Sequence, residues 1–180
     1  MIAKLFEIKK TSNKGKGLFS KKLVPKGTII CFECKNCKVL SEEKFNKMSE
    51  KEKEVFSEHA YRRKDGSFLM PCDETKFLNH SCNSNILDSG KGFDIVVKDI
   101  KKGEEATYDY RVFYDDLNML CNCGESNCCK IVTCKHPVPK GLKQFWLKKI
   151  NFALKLANKV EQPLKKLNKI KLSEHYYVGF

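Results

Sequence analysis

Residues 77–85 read Phe77-Leu-Asn-His-Ser-Cys-Asn-Ser-Asn85, a polar run set inside an apolar segment. Seven consecutive polar or small residues, beginning at Asn79, lie between the apolar pairs Phe77-Leu78 and Ile86-Leu87. Burying so many polar groups costs free energy unless each one finds a hydrogen-bond partner. Taken alone, this composition predicts a turn in which Asn and Ser side chains bond to the nearby backbone.

Three further short motifs lie along the chain. A glycine loop, Lys14-Gly-Lys-Gly-Leu-Phe19, precedes the polar run and lacks the spacing of the known phosphate-binding loops. Gly103-Glu-Glu-Ala-Thr-Tyr-Asp-Tyr110 follows it and by itself predicts a turn and a strand. The last motif is Cys121-Asn-Cys-Gly-Glu-Ser-Asn-Cys128.

The cysteine motif is typical of a structural metal site. Three thiolates on a tight loop around Gly124 can point at one ion, and structural zinc takes four such ligands at ~2.3 Å. The alternative, a set of small buried thiols, is uncommon at this spacing. The fourth ligand must come from elsewhere, and the candidates are Cys82, Cys129, Cys134 and His136.

The composition is that of a folded, water-soluble chain. Of 180 residues, 41% are hydrophobic and 32% charged, and no apolar run is long enough to span a membrane. The first residues do not have the pattern of a signal peptide, so we expect an intracellular protein. In that setting the ten cysteines are expected to be thiols or metal ligands. The run Cys31, Cys34 and Cys37 is interpreted as strand and loop thiols, with a second metal site as the alternative.

Positive charge is concentrated in the last part of the chain. Residues 140–180 contain ten lysines against two glutamates, which is +8 of the total formal charge of +13. Only three basic residues of the whole chain are arginine, the residue that proteins shaped to bind phosphate usually use.

The hydrophobic patterns predict a mainly β fold with α insertions. Strands are expected at the end of residues 23–32 and over residues 92–100, and a helical insert over about 41–60. Two prolines and a glycine within residues 136–141 divide the chain. An amphipathic helix is predicted over 142–160, and Pro163 opens a second basic helix. The apolar stripe of the helix predicted over 142–160 consists of Leu142, Trp146, Ile150, Ala153, Leu154, Ala157 and Val160.

In their order, the four motifs resemble the SET-domain protein lysine methyltransferases that carry a post-SET zinc motif. The resemblance covers roughly residues 4–132, and within it the stretch from Tyr108 to Cys128 looks most like the branch that methylates the tail of histone H3. It implies a SET fold, in which small β-sheets surround a knot-like crossing of the polar run and the segment ending at Tyr110. It also implies a SET domain over 1–119, a post-SET zinc loop over 120–136 and a basic helical tail over 142–180.

The resemblance assigns two binding sites. Matching positions imply that S-adenosylmethionine is held by Lys16, Gly17, Phe19, Asn79, His80 and Tyr110. A glycine suits this role because a side chain would block close approach of the backbone to a ligand. For zinc, the family's fourth ligand matches Cys82, which gives the set Cys82, Cys121, Cys123 and Cys128.

The resemblance also assigns the reaction and three tyrosines. Tyr110 matches the catalytic tyrosine, Tyr61 is the candidate second tyrosine of the lysine channel, and Tyr108 matches the position where Phe or Tyr controls the product. A tyrosine there implies mono-methylation, extending at most to dimethylation. The implied substrate is a lysine of another protein, with a histone tail favoured and autocatalytic modification as an alternative. Nucleus or chromatin is the implied location, with the cytoplasm as the alternative.

Other interpretations remain open at this point. The basic helix can pack on the SET domain, bind nucleic acid or nucleosomes through phosphate contacts, or lie on a membrane surface, in that order of preference. The whole chain could be a zinc-containing chromatin or nucleic-acid binding module without catalysis. A thiol oxidoreductase using Cys34 and Cys37 is less favoured, because no helix follows to lower a thiol pKa.

Overall fold

Short β-strands dominate the architecture. The computed structural model describes residues 2–32 and 35–164, and these contain three α-helices: α1 (Glu42–Asn46), α2 (Glu50–Ser57) and α3 (Lys140–Leu156). The mainly β prediction is therefore confirmed. The strands are β1 (Phe6–Lys10), β2 (Lys16–Ser20), β3 (Ile29–Phe32), β4 (Lys38–Leu40), β5 (Tyr61–Arg62), β6 (Phe68–Met70), β7 (Asn79–His80), β8 (Ile86–Asp88), β9 (Phe93–Val96), β10 (Glu105–Tyr108), β11 (Met119–Leu120) and β12 (Ile131–Val132).

One seven-stranded sheet forms the body of the molecule. Its strands run in the order β1-β2-β10-β8-β9-β3, and β7 also pairs with β10. Strand β10 is antiparallel to β2 and parallel to both β7 and β8. Strand β7, which begins the polar run, and strand β8, which follows it, therefore both pair with β10, the strand that ends at Tyr108. The strand predicted over 92–100 is shorter than expected: β9 ends at Val96, although the N–H of Val97 still bonds to the carbonyl of Asn85 at 2.8 Å.

A second unit, which we call the insert, spans residues 38–70. It consists of a three-stranded sheet in the order β4-β6-β5 together with α1 and α2. The helical segment expected over about 41–60 consists of two short helices, α1 and α2, where the apolar pattern had suggested one continuous helix. Ser49 begins the second one through a capping box with Glu52, and a new helix start interrupts the first helix.

Helix α3 packs on the main sheet with its predicted apolar stripe inward. Trp146, Ile150, Ala153 and Leu154 are buried in the same core cluster as the sheet strands. The helix begins two residues before the predicted start, because the Pro139 carbonyl accepts a hydrogen bond from Lys143 N at 3.0 Å. The second basic helix predicted from Pro163 lies outside the described residues. Within the described ranges, no helix has the length and apolar character to cross a membrane.

The end of α3 fits closely against the turn before β3. At Gly27, whose φ is +96°, an added Cβ would lie 2.9 Å from the Cβ of Leu156. Just beyond, the Gln162 side chain accepts from Ile29 N at 2.8 Å and donates to the Gly27 carbonyl at 2.9 Å. These contacts attach residues 157–162 to the sheet, so this segment of the chain is part of the folded body.

Candidate active site and metal centre

A cavity of about 540 Å³ lies between the main sheet and the insert. It is lined by all three tyrosines that the sequence assigned to the lysine channel, Tyr61, Tyr108 and Tyr110. The insert contributes the first of these, and β10 with the turn after it contributes the other two. Tyr61 precedes Tyr108 by 47 positions in the chain, and the fold places the two around one chamber.

Tyr110 joins the cavity to the polar run. Its hydroxyl donates to the Leu78 carbonyl at 2.6 Å, and its backbone N–H donates to Nδ1 of His80 at 3.1 Å. Burial raises the pKa of this hydroxyl to about 12. At neutral pH Tyr110 is therefore a fixed neutral hydroxyl beside the strand that carries Asn79 and His80.

Tyr108 directs its hydroxyl to a different partner. The hydroxyl donates to Oδ1 of Asp94 at 3.1 Å, and burial raises the pKa of the phenol well above its usual value. Burial, together with the nearby charge of Asp88, also raises the pKa of the Asp94 carboxyl, to about 7. Both aspartates line the cavity, opposite each other on β8 and β9.

Phe113 holds the tyrosine rings in place. Its ring stacks on Tyr61 at 4.5 Å between centroids and on Tyr108 at 5.6 Å, with interplanar angles of 16° and 12°. It also lies 5.6 Å from the Tyr110 ring. The cavity therefore has an aromatic wall in which one phenylalanine contacts all three tyrosines.

The predicted cofactor residues lie together on the sheet behind Tyr110. Asn79 Nδ2 donates to the Lys16 carbonyl at 3.0 Å and to Oε1 of Glu105 at 2.7 Å. Phe19 lies opposite Glu105 in the β2–β10 register. A Cβ at Gly17 would come within 2.6 Å of Oε1 of Glu105 and 2.9 Å of Nδ2 of Asn79, so a side chain here would displace this hydrogen-bonded pair. The segment consequently leaves its backbone open for close approach.

His80 links the polar run to the cysteines. Because its Nδ1 accepts from Tyr110, the proton of the neutral ring lies on Nε2, which is 3.4 Å from Sγ of Cys82. Burial lowers the pKa of His80 to about 4, against the opposing effect of Asp109, so the ring is neutral at physiological pH. The imidazole is thus placed to donate to a thiolate at Cys82.

The four predicted zinc ligands meet at one point. The sulfur atoms of Cys82, Cys121, Cys123 and Cys128 lie within 4.8 Å of one another, and Cys82 and Cys121 are 3.7 Å apart. Tetrahedral zinc with bonds of ~2.3 Å requires sulfur–sulfur distances of about 3.8 Å. Burial raises the pKa of Cys123, but hydrogen bonds from backbone groups outweigh this effect and lower the pKa to about 7. This cysteine cluster could hold a zinc ion.

A second grouping shares two of these ligands. His80, Cys82, Cys121 and Cys129 also bring their donor atoms within 4.8 Å. In the observed hydrogen-bond pattern, however, His80 presents a protonated Nε2, which cannot coordinate a metal. The N–H of Cys129 donates to Sγ of Cys82 at 3.3 Å, an interaction that stabilises a thiolate there. We therefore favour the four-cysteine set.

The other candidate ligands have different surroundings. Cys134 Sγ contacts the Tyr110 carbonyl at 3.3 Å, and His136 contacts the Phe113 carbonyl at 2.8 Å. Both support the cavity wall. In the C-x-x-C-x-x-C run, Cys34 lies outside the described residues, Cys31 lines the cavity, and Cys37 has its sulfur 3.9 Å from that of Cys72.

Asp109 is a structural residue that sequence reasoning missed. Fully buried, it accepts from Arg111 Nη2 at 2.6 Å and from Trp146 Nε1 at 2.9 Å. Arg111 in turn donates to the Cys82 carbonyl at 3.3 Å. The only sequence signal was an acid between two tyrosines in an otherwise apolar segment, and its partner in α3 is 37 residues away.

Lys149 and Asp94 were also missed. Lys149, on the inner side of α3, donates to Asn83 Oδ1 at 3.2 Å and to the Ser84 carbonyl at 2.8 Å. Burial lowers its pKa to about 8. Asp94 was not recognised as a site residue, because it is a single acid within the strand Phe93–Val96. The available signal for Lys149 was a charged residue on the side of the helix that carries Trp146 and Ile150, and for Asp94 it was an acid between the apolar residues Phe93 and Ile95.

A model of the SET domain family matches residues 15–111, which is more than half of the chain. The chain belongs to the SET domain family. The match includes the glycine loop, the polar run and the segment ending at Tyr110, and it ends ten residues before the first cysteine of the metal motif at Cys121.

Curated relatives of this SET domain are similar over short parts of their own length. The variant-silencing SET domain-containing protein of Plasmodium falciparum is 30% identical over 143 residues, which is 71% of this chain and 6% of that protein. Histone-lysine N-methyltransferase ASHR3 of Arabidopsis thaliana is 34% identical over 80 residues, which is 40% of this chain and 16% of that protein. The chain therefore spans less than a fifth of either relative.

Solved structures have the same fold. The methyltransferase domain of human histone-lysine N-methyltransferase SETMAR matches with a TM-score of 0.51 and 25% identity, over 71% of this chain and 57% of that chain. Arabidopsis thaliana SUVH6, solved in complex with SAM, matches with a TM-score of 0.57 and 21% identity, over 73% of this chain and 33% of that chain. The predicted SET fold is confirmed.

Proposed function

We propose that this SET domain transfers a methyl group from S-adenosylmethionine to the ε-amine of a protein lysine. The observation that carries the proposal is the position of Tyr110, which lines the aromatic cavity and at the same time bonds to Leu78 and His80. One residue thus connects a chamber suited to an alkyl amine with the strand that matches the family's cofactor-binding residues.

The cavity wall favours the reactive form of the substrate. A free lysine has a pKa near ~10.4, so only about one molecule in two thousand is neutral at pH 7. A lysine side chain that enters the cavity between Tyr61, Tyr108 and Phe113 loses hydrating water, and this desolvation lowers the pKa of its amine. The Tyr110 hydroxyl and nearby carbonyls then orient the amine, which lowers the barrier without a covalent intermediate.

The cofactor residues are proposed to act through their backbone and one amide. When bound, S-adenosylmethionine supplies an electrophilic methyl group on a sulfonium. Lys16 and Gly17 would offer the part of β2 that β10 does not pair with, Phe19 would lie next to it, and Asn79, His80 and Tyr110 would close the other side. Lys14 Nζ, 3.3 Å from the His80 carbonyl and 3.7 Å from Glu105, adds a positive charge at this edge.

The product is proposed to be mono-methyl-lysine, extending at most to dimethyl-lysine. Tyr108 is buried with its hydroxyl in the cavity lining, where it occupies space that a larger methylated amine would need.

Zinc is proposed to bind the four-cysteine set. Since Cys82 follows His80 by two residues and the other ligands lie in residues 121–128, one ion would tie the C-terminal loop to the cofactor strand.

The substrate class and partners are proposed from the relatives' names. Several are histone-lysine N-methyltransferases, so a histone tail is the leading substrate and chromatin the leading location. The outer face of α3 exposes Lys148 and Lys155, Lys159 is exposed just beyond the helix, and the inner face of α3 is buried. That arrangement supports contact with nucleosomal phosphates, beside the packing role of the helix, more than insertion into a membrane surface.

The decisive experiment is transfer of a radiolabelled methyl group from S-adenosylmethionine to core histones and to the chain itself. Tyr110→Phe should lower the rate by about 100-fold, because one hydroxyl at the reacting centre is lost. Tyr114→Phe, which removes a hydroxyl from the rim of the same cavity, is the matched control and should retain most activity. Calorimetry with S-adenosylmethionine that gives no binding heat would instead favour a binding module without catalysis.

The zinc assignment has its own test. Elemental analysis of the purified protein should find one equivalent of zinc, which Cys82→Ser and Cys123→Ser should reduce strongly. Cys134→Ser should leave the zinc content unchanged, because its sulfur contacts the Tyr110 carbonyl instead. Zinc loss in Cys134→Ser and retention in Cys123→Ser would contradict the four-cysteine set.

A further inference from the structure

The neighbouring tyrosines of the cavity differ in what fixes their hydroxyls. Tyr110 donates to a backbone carbonyl, that of Leu78, whereas Tyr108 donates to a side chain, Oδ1 of Asp94 at 3.1 Å. A backbone acceptor is present whatever the sequence. A carboxylate acceptor is present only while residue 94 is an acid. A substitution at position 94 can therefore change the orientation of the Tyr108 hydroxyl, whereas no substitution at Leu78 removes the acceptor of Tyr110.

A carboxylate at position 94 is costly where it stands. Asp94 lies within β9, opposite Asp88 of β8, so two acids face one another beside the cavity. Burial and the charge of Asp88 disfavour ionisation of Asp94, while hydrogen bonds from Tyr108 and Cys31 favour it. An apolar strand residue would avoid this cost. The position therefore has a reason other than stability.

The ring of Tyr108 and its hydroxyl are held by separate contacts. Stacking on Phe113 at 5.6 Å, with Phe113 itself stacked on Tyr61 at 4.5 Å, fixes the plane of the ring. The carboxylate of Asp94 fixes the direction of the O–H bond. Removing the carboxylate should therefore free the hydroxyl without displacing the ring.

The direction of that bond determines what Tyr108 offers to a substrate amine. A phenol has one proton to donate, and here it is given to Asp94. Only oxygen lone pairs of Tyr108 remain for the cavity, and these accept from an amine N–H or from a water molecule. Each methyl group added to a lysine removes one N–H and adds bulk. An anchored acceptor at this position thus favours a less methylated amine.

We propose that Asp94 limits the extent of lysine methylation by anchoring the Tyr108 hydroxyl in the cavity. This role rests on the proposed methyltransferase function and deepens it. Asp94 is in this sense a positioning residue, since it acts on the substrate through Tyr108.

The test compares product distributions for core histones at equal total methyl transfer, measured by mass spectrometry. Asp94→Val removes the acceptor and suits a β-strand, and we expect it to raise the ratio of di- and trimethyl to monomethyl product at least about fivefold. Asp94→Asn retains an acceptor oxygen of the same shape and should stay within about twofold of the wild type. Asp94→Ala replaces Asp94→Val if the latter melts below the assay temperature.

The same changes in a Tyr108→Phe background separate this role from a general effect on the cavity. Without the hydroxyl there is nothing to anchor, so Asp94→Val should cause no further change in the product ratio. An unchanged ratio in Asp94→Val, or an equal increase with and without the Tyr108 hydroxyl, overturns the role of Asp94 alone. A wild type that binds S-adenosylmethionine but labels neither histones nor itself overturns the methyltransferase proposal and this role with it.

Discussion

The two sides of the cavity are stabilised by different interactions. On one side, residues 79–85 and 105–111, which we call the polar junction, exchange buried hydrogen bonds. Asn85 alone donates to the Glu105 carbonyl at 2.9 Å and accepts from Thr107 N at 2.8 Å. On the other side, the insert relies on ring stacking, such as Phe45 on Phe68 at 4.0 Å, and on ion pairs at the surface.

This difference matches what each side must do. Directional hydrogen bonds in a buried setting permit one geometry, which suits the cofactor-binding and catalytic roles proposed for Asn79, His80 and Tyr110. Stacked rings and exposed ion pairs tolerate small shifts, because their energies change gradually with distance. Within the described residues, every buried side-chain nitrogen or oxygen has a hydrogen-bond partner. We therefore expect single substitutions to lower the free energy of unfolding strongly in the polar junction and weakly in the insert.

Removing the carboxylate of Asp109 should have the largest effect on stability. Asp109→Ala leaves the Arg111 guanidinium without its buried partner and removes the acceptor of Trp146, so we expect a loss of about 3–5 kcal/mol in the free energy of unfolding. Urea denaturation measures it, with the exposed Asp116→Ala as the matched control. Similar small losses for both variants would show that the junction does not depend on this charge.

Removing only the N–H donor of Trp146 should have an intermediate effect. Trp146→Phe keeps an aromatic ring in the core but loses the 2.9 Å hydrogen bond to Asp109, and we expect a cost of about 1.5–3 kcal/mol. The neighbouring exposed ring supplies the control, because Phe145→Leu should change stability very little. If Trp146→Phe is additive with Asp109→Asn, the two side chains do not interact as described.

The pH dependence of stability should carry a signature of Asp94. Its pKa is 3.8 in the unfolded chain and is raised to about 7 in the folded one, so between these values the folded state binds more protons. Folding stability from this group is full below about pH 4 and decreases as the pH rises through 7. Thermal melting from pH 5 to 8 should show a decrease of about 2.5 kcal/mol relative to Asp94→Asn. Parallel pH profiles of stability for the wild type and Asp94→Asn would contradict this effect of Asp94.

The insert should give the smallest change. Glu42→Gln removes the ion pair between Glu42 and Arg62, which is partly exposed, and should cost less than about 1 kcal/mol. Added salt should reduce even this difference, since exposed charges are screened. A loss comparable to that of Asp109→Ala, persisting in high salt, would remove the distinction between the two sides.

Much of the fold could be predicted because local patterns and tertiary structure agree. The apolar stripe of α3, for example, packs inward as its periodicity indicates. The broken helix of the insert was missed although Ser49 and Glu52 carry the spacing of a capping box, because the apolar pattern continued across it. The end of β9 at Val96 was not predicted, because the apolar pattern continues through Val97 and no local signal marks where the pairing with β8 stops.

The candidate site divides in the same way. Motifs with their own spacing led to Tyr110, to the residues around Asn79 and to the four cysteines, which the structure brings together. Asp94, Asp109 and Lys149 were missed because each is a single charged residue whose partner lies far away in the chain. A buried charge becomes recognisable only when its partner is known, and that requires the three-dimensional arrangement.

The Gln162 side chain has a consequence for how this protein meets other chains. Strand β3 is the last strand of the main sheet, and its free edge would ordinarily be a template for pairing with an extended peptide. Gln162 occupies Ile29 N and the Gly27 carbonyl, and Ala3 N bonds to the Ile30 carbonyl at 2.7 Å. With these positions taken, β3 is protected against edge-to-edge aggregation, and a substrate peptide cannot bind there by adding a strand.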